Sequence, residues 1–137
     1  GNYKLIEVSR FNPKSFFCAV RSCYCLDLID VEPDKLSVAT RRTDRGKLNM
    51  NFPVTRHYIS ERLFEESFNT VQTEFGIYNV YDIHRSVCDC IRLKKDIDTY
   101  IFQLVLDNYR IKQDQQKKRL LEYAKWMRLV DQVEKYL

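Results

Sequence analysis

Glycine and proline are scarce in this 137-residue chain, three of each. No apolar run reaches the roughly 18 residues a membrane-spanning helix requires. Few turn-formers beside 45% hydrophobic residues exclude a collagen-like, low-complexity or disordered polypeptide. A Gly-rich phosphate loop is missing too, because three isolated glycines cannot build one. The opening residues lack the charged-then-apolar layout of a secretion signal. A start on Gly1-Asn2 instead of Met is that expected of a piece cut from a longer protein. The length suits one compact domain, or a small domain with a helical appendage.

The cysteines are five in number: Cys18, Cys23, Cys25, Cys88 and Cys90. An odd count without a secretion signal points to free thiols in a reducing, intracellular setting, cytoplasmic or nuclear. Both Cys-x-Cys pairs are spaced too closely for the usual Cys-x2-Cys zinc turn. On a helix Cys88 and Cys90 would point about 200° apart, so buried small hydrophobes are the expected role.

What is present is uneven. Residues 1–59 hold ten Lys/Arg and six Asp/Glu, and residues 60–137 hold thirteen of each. Much of the excess lies in Arg41, Arg42, Arg45 and Lys47. Four cations on a loop suit phosphate, whose neutralisation releases counterions. The same charges also suit a solvated hairpin tip that discourages edge pairing.

Strand-forming residues fill the front. Residues 3–8 and 16–25 read as strands around the turn Asn12-Pro13-Lys14-Ser15, and 26–31 as a continuation up to Glu32-Pro33-Asp34. Residues 35–42 and 47–54 read as a hairpin around Thr43-Asp44-Arg45-Gly46, with Gly46 at positive φ. Leu48, Met50 and Phe52 alternate with polar neighbours. Ser60 as N-cap, an Ile59/Phe64 staple and Gly76 as terminator predict a helix over 61–75 covering the sheet. A second start at Asn79, with Asp82 three residues on, predicts a helix of about 15 residues carrying Val80, Ile83, Val87 and Ile91.

No Gly or Pro follows Gly76, so the rest reads as helical, either a hairpin turning near 107–116 or one long helix. Its last segment carries two apolar stripes: Leu120, Tyr123, Ala124, Met127, Val130 and Leu137, then Trp126, Leu129, Val133 and Tyr136. One buried surface needs one stripe. Two stripes imply either a partner or a hairpin that covers both internally.

Chemistry is thinly signalled. His57 and His84 have no nucleophile signature beside them, and His84 reads as a helix histidine. Asp27, Asp30, Glu32 and Asp34 surround Pro33 and read as a solvated turn before a Mg²⁺ or Ca²⁺ site. No catalytic residue, metal ligand or cofactor is expected. Tyr3, Phe11, Phe16, Phe17, Tyr24, Phe52 and Tyr58 lie in the strand half beside the basic stretch, where aromatics either fill the core or stack bases.

The segment Ile6-Glu7-Val8-Ser9-Arg10-Phe11-Asn12-Pro13-Lys14-Ser15-Phe16-Phe17-Cys18-Ala19-Val20 resembles the opening strand-turn-strand of extended Tudor domains, which implies a small β-barrel. The Tyr-Asp-Tyr-Gly-Asn-like stretch that carries the family's methylarginine cage is missing, so no binding residue is transferred.

The expectation is therefore an α+β fold. A small antiparallel sheet in the N-terminal half, covered by a helix, makes a β-rich unit over 1–76, and a helical region follows over 77–137. The expected function is a non-catalytic protein–protein interaction or assembly module. Trp126, Met127, Leu129, Val130, Val133 and Tyr136 would anchor a protein partner or a second copy, with no membrane involved. The alternative is nucleic-acid binding, to RNA or single-stranded DNA, through Arg41, Arg42, Arg45 and Lys47 with nearby aromatics, or a Tudor-like module.

Overall fold

Phe16 and Phe17 set the layers of this protein. They form a two-residue strand at the centre of a five-stranded sheet, and alternation sends their rings to opposite faces. The computed structural model describes residues 3–112 and 117–137; Gly1, Asn2 and residues 113–116 lie outside the described residues. In chain order the elements are α1 (Tyr3–Phe11), β1 (Phe16–Phe17), α2 (Ala19–Cys25), β2 (Leu36–Arg41), β3 (Val54–Ile59), α3 (Glu61–Phe64), β4 (Phe68–Thr73), β5 (Gly76–Tyr81) and α4 (Ile83–Arg92). A 3-10 turn (Lys94–Asp96), α5 (Thr99–Lys112), α6 (Lys117–Trp126) and α7 (Val130–Tyr136) complete it.

The sheet order is β3-β2-β1-β5-β4. β1 runs antiparallel to β2 and parallel to β5, β2 runs parallel to β3, and β4 pairs antiparallel with β5. The architecture is thus α+β with C-terminal helices, as the composition implied, but the sheet is mixed. It is also open, with β3 and β4 as its edges, so the small barrel suggested by the Tudor resemblance does not form. On one face, Leu5, Ile6 and Val8 of α1 pack with Phe17, Leu36, Val38, Tyr78 and Val80. On the other, Phe16, Ala39, Ile59 and Tyr81 meet the remaining long helices. α4 is the hub of that layer, touching α2, α5, α6 and α7.

Several elements differ from the sequence reading, each for a physical reason. Residues 3–11 are helical because Leu5, Ile6 and Val8 share one helical side, and the sheet face below needs a cover. Within 16–25 only Phe16–Phe17 is strand, and α2 follows it; residues 26–31 form no strand. The helix expected over 61–75 stops at Phe64. Phe68–Thr73 instead pairs residue by residue with Gly76–Tyr81, and Gly76 serves a hairpin at φ 149° instead of a helix end. Non-local pairing overrode a well-signed local start. The second helix starts at Ile83, capped by Asp82, whose carboxylate accepts the Arg85 N–H at 2.8 Å.

β2 forms as expected, but it lies between β1 and β3, and residues 47–53 join no strand beside it. Parallel neighbours need a long crossover, and residues 42–53 supply it. Leu48, Met50 and Phe52 pack as a loop against the α1-side core, which satisfies their alternation without a ladder. In the C-terminal region the described residues form α5, α6 and α7, and the join between α5 and α6 lies outside the described residues. α5 continues through 107–112, where the turn was expected, and the rest of that expected turn, 113–116, lies outside the described residues. Between α6 and α7 the break is Arg128, at φ 61°.

Candidate nucleic-acid interface

The cations of 41–47 do not act together. Arg41, at the end of β2, is tied down: its Nε meets the Glu61 carboxylate at 2.9 Å and its Nη2 meets Glu65 at 2.6 Å. Its guanidinium also lies 4.5 Å from the Phe64 ring centroid, so Arg41 fastens α3 to the sheet. Arg42, Arg45 and Lys47 are exposed and line an open cleft of about 560 Å³ together with Arg56 and Tyr58 of β3.

Arg56 was not singled out by sequence, and it organises the cleft. Its Nε donates to Thr40 Oγ1 at 2.8 Å, its Nη1 to the Gly46 carbonyl, and its Nη2 to the Asp44 carbonyl at 3.2 Å. Its guanidinium stacks 4.8 Å from the Tyr58 ring centroid. Asp44 closes the loop: its carboxylate accepts the Gly46 N–H at 2.7 Å and the Asn12 amide at 3.1 Å. A Cβ on Gly46 would stand 2.9 Å from that carboxylate and would displace it from its bonds in the loop, and Gly46 does not adopt the positive φ expected from sequence. Asp44, the acid that lines the cleft, is thereby engaged inside the loop. Arg42, Arg45 and Lys47 project from a braced backbone beside a Tyr58 ring that is 52% exposed. The alternation of β3 is what turns Val54, Arg56 and Tyr58 to this face. That signal was present in the sequence, but only once Val54–Ile59 is recognised as a strand.

The other aromatics divide. Phe16 and Phe17 are core, Tyr24 and Phe52 are half-buried, and Tyr3 and Phe11 are exposed away from the cleft lining.

The proposed C-terminal anchors divide as well. Met127, Leu129 and Val133 are buried in the main core of the chain itself, while Trp126, Val130 and Tyr136 are half-buried. α7 turns back so that Val133 reaches the layer of α4, and Tyr136 packs edge-on to Phe102 at 5.4 Å. The two stripes are therefore largely covered by the chain's own helices.

Cys18, Cys23, Cys88 and Cys90 are buried, and all five cysteines are free. Both α4 thiols are hidden because that helix is enclosed on several sides: Cys23 and Cys90 approach to 4.0 Å, and Ser22 bonds Ser86 at 2.5 Å across the α2–α4 seam. Burial pushes the Cys18 and Cys88 thiols well up, and the half-buried Cys25 up to about 11. At pH 8 only about one Cys25 thiol in a thousand is then the nucleophilic thiolate. Native protein is expected to take up iodoacetamide slowly, at Cys25 alone, and to take up five labels in urea; fast native labelling of the buried four, read by intact mass, would contradict this packing.

His84 is buried with Nδ1 2.9 Å from the Tyr109 hydroxyl. His57 lies half-buried on β3, where burial, then Arg92, lowers its pKa and keeps the ring neutral at pH 7. Glu32 pairs with Arg21 at 3.4 Å. Among the described residues no group of three or more His, Cys, Asp or Glu could hold a metal ion, and no helix is long and apolar enough to cross a membrane. No protein-family model matches the chain, and no curated protein sequence matches it.

Proposed function

We propose that this chain is a non-catalytic binding module that grips the phosphate backbone of a nucleic acid with Arg42, Arg45 and Lys47, while Tyr58 offers a face for a base. One observation carries the reading: three exposed cations share one open cleft with an exposed aromatic ring, on a loop braced by the hydrogen bonds of Arg56 and Asp44. A loop whose backbone is already braced loses little backbone freedom on binding, which raises affinity per contact. Stacking on one aromatic tolerates any base and favours single strands.

The test is fluorescence anisotropy with labelled 20-nucleotide RNA, single-stranded DNA and duplex DNA across a salt series. Converting Arg42, Arg45 and Lys47 together to Glu is expected to weaken binding by at least about 100-fold and to flatten the slope of log K against log salt by about 2 to 3. Tyr58→Ala is expected to cost a further ~5- to 100-fold on single strands and little on duplex. Affinity of the triple variant unchanged from the wild type on all three probes would end the proposal.

A second reading, assembly through the C-terminal helices, is supported by the half-buried Trp126, Val130 and Tyr136 on one terminal region. It requires a salt-resistant dimer in light scattering, lost in Trp126→Ala/Val130→Ser; a monomer at all concentrations sets it aside.

A further inference from the structure

The edge strand β3 has a second face with the opposite charge. By alternation Thr55 and His57 point away from the basic cleft, toward the helical layer. There they line a groove of about 420 Å³ between the loop entering β2 and the start of α5. Its floor is aliphatic, built from Val20, Val31, Leu93, Ile97 and Ile101. Its rim carries Glu32, Asp34, Asp96 and Asp98, with Lys35 as the cation in the lining. Glu32 is partly neutralised by Arg21, and Asp98 caps α5 through the Ile101 N–H at 3.1 Å, so Asp34 and Asp96 are the carboxylates with the fewest internal ties.

We propose that this groove docks a short basic peptide segment of a partner protein, with one or two aliphatic side chains on the floor and Lys or Arg side chains on the rim. Three properties select that occupant. Charge complementarity demands cations, since an acidic rim repels nucleic acid and acidic chains alike. The carboxylates are spread around an aliphatic floor and do not converge, so they suit several separated cations and not one metal ion. β3 is an edge strand, so its outer backbone N–H and C=O groups lie beside the groove, available for pairing with an extended peptide. The volume falls within the about 300–1,000 Å³ typical of binding pockets. This inference does not rest on the nucleic-acid reading, because the two sites occupy opposite faces of the same strand.

The probe is a fluorescein-labelled heptapeptide, KRLKIRK, compared with EELEIEE and with KRGKGRK, in which the aliphatic anchors are removed. Anisotropy is expected to show micromolar binding of the first and at least ten-fold weaker binding of both others. Asp34→Lys/Asp96→Lys is expected to weaken KRLKIRK at least ten-fold, and Ile97→Ser by a similar factor, each with an unchanged circular dichroism spectrum and melting temperature. In a ¹⁵N spectrum the Thr55 and His57 amides are expected to shift on titration. Equal binding of KRGKGRK, unchanged affinity of the Asp34/Asp96 variant, or no binding at 1 mM (about the weakest affinity such a contact could have and still be specific) would each overturn the proposal. If Ile97→Ser melts early, Thr55→Arg, which fills the groove from the strand side, replaces it with the same expected loss.

Discussion

Val133→Asp is expected to unfold the protein, or to lower its melting temperature by more than about 15 °C. Val133 has no exposed surface and sits in the main core, where α7 meets α4. An aspartate there is an unpaired carboxylate in an apolar site, which costs several kcal/mol, on the order of 4 or more. A domain's whole stability is only about 5–15 kcal/mol. At a few degrees per kcal/mol for a chain of this size, the shift is large. Leu129→Asp is expected to behave alike. Val130→Asp, at a half-buried position one residue on, is expected to lose only ~1 kcal/mol, within the ordinary range for such sites. Urea titration followed by the fluorescence of Trp126, the sole tryptophan, measures all three. A folded, stable Val133→Asp would show that α7 is dispensable to the core and return its stripe to a partner.

The second large effect lies in α4. Arg85 is 1% exposed, its guanidinium 3.9 Å from the Tyr81 ring centroid, and it donates to the carbonyls of Leu63 and Glu66. It thereby ties down the chain around α3, next to the Tyr81 hydroxyl, which donates to the Phe64 carbonyl. Its paired carboxylate is Asp89, one turn on, at 3.5 Å, an ion pair by distance without hydrogen-bond alignment. Arg92 holds the other side of Asp89 at 3.2 Å. Asp89→Ala strands a guanidinium in the core and is expected to cost ~3–5 kcal/mol. Arg85→Met/Asp89→Leu is expected to recover part of that, but not all, because the Leu63 and Glu66 carbonyls lose their donor. Thermal melts of the two variants decide it: an Asp89→Ala protein within 2 °C of the wild type, a shift under roughly 1 kcal/mol, would refute the role assigned to this pair.

The buried pair shows why part of this molecule was hidden from sequence reading. Arg85 and Asp89 are spaced as a solvated i,i+4 pair, and nothing local distinguishes them from one. Their burial comes from α4 being enclosed by α2, α5, α6 and α7. The same holds for the basic cleft. Arg42, Arg45 and Lys47 were legible as a cluster, but Arg41 was separated from them by Glu61 and Glu65, and Arg56 joined them through a parallel β2–β3 pairing. The acidic residues around Pro33 read as a solvated turn; only the approach of Asp96 and Asp98 makes them a groove rim.

By itself the sequence determined the mixture of strands and helices, the helical C-terminal region (though it begins at Ile83, after β5, and not directly after Gly76), the free cysteines, the strand at 36–41 and the surplus of cations beside it. Each follows from composition, from missing helix breakers, or from a short periodic run. Only tertiary structure decided that residues 3–11 are helical and 68–73 extended, that the last helix covers its own stripes, and which charges face each other. Those outcomes depend on contacts between residues far apart in the chain. Helical and extended propensities differ by less than about 1 kcal/mol per residue, whereas burying one large apolar side chain contributes about 1.5–3 kcal/mol, so packing outweighs local preference wherever the two disagree.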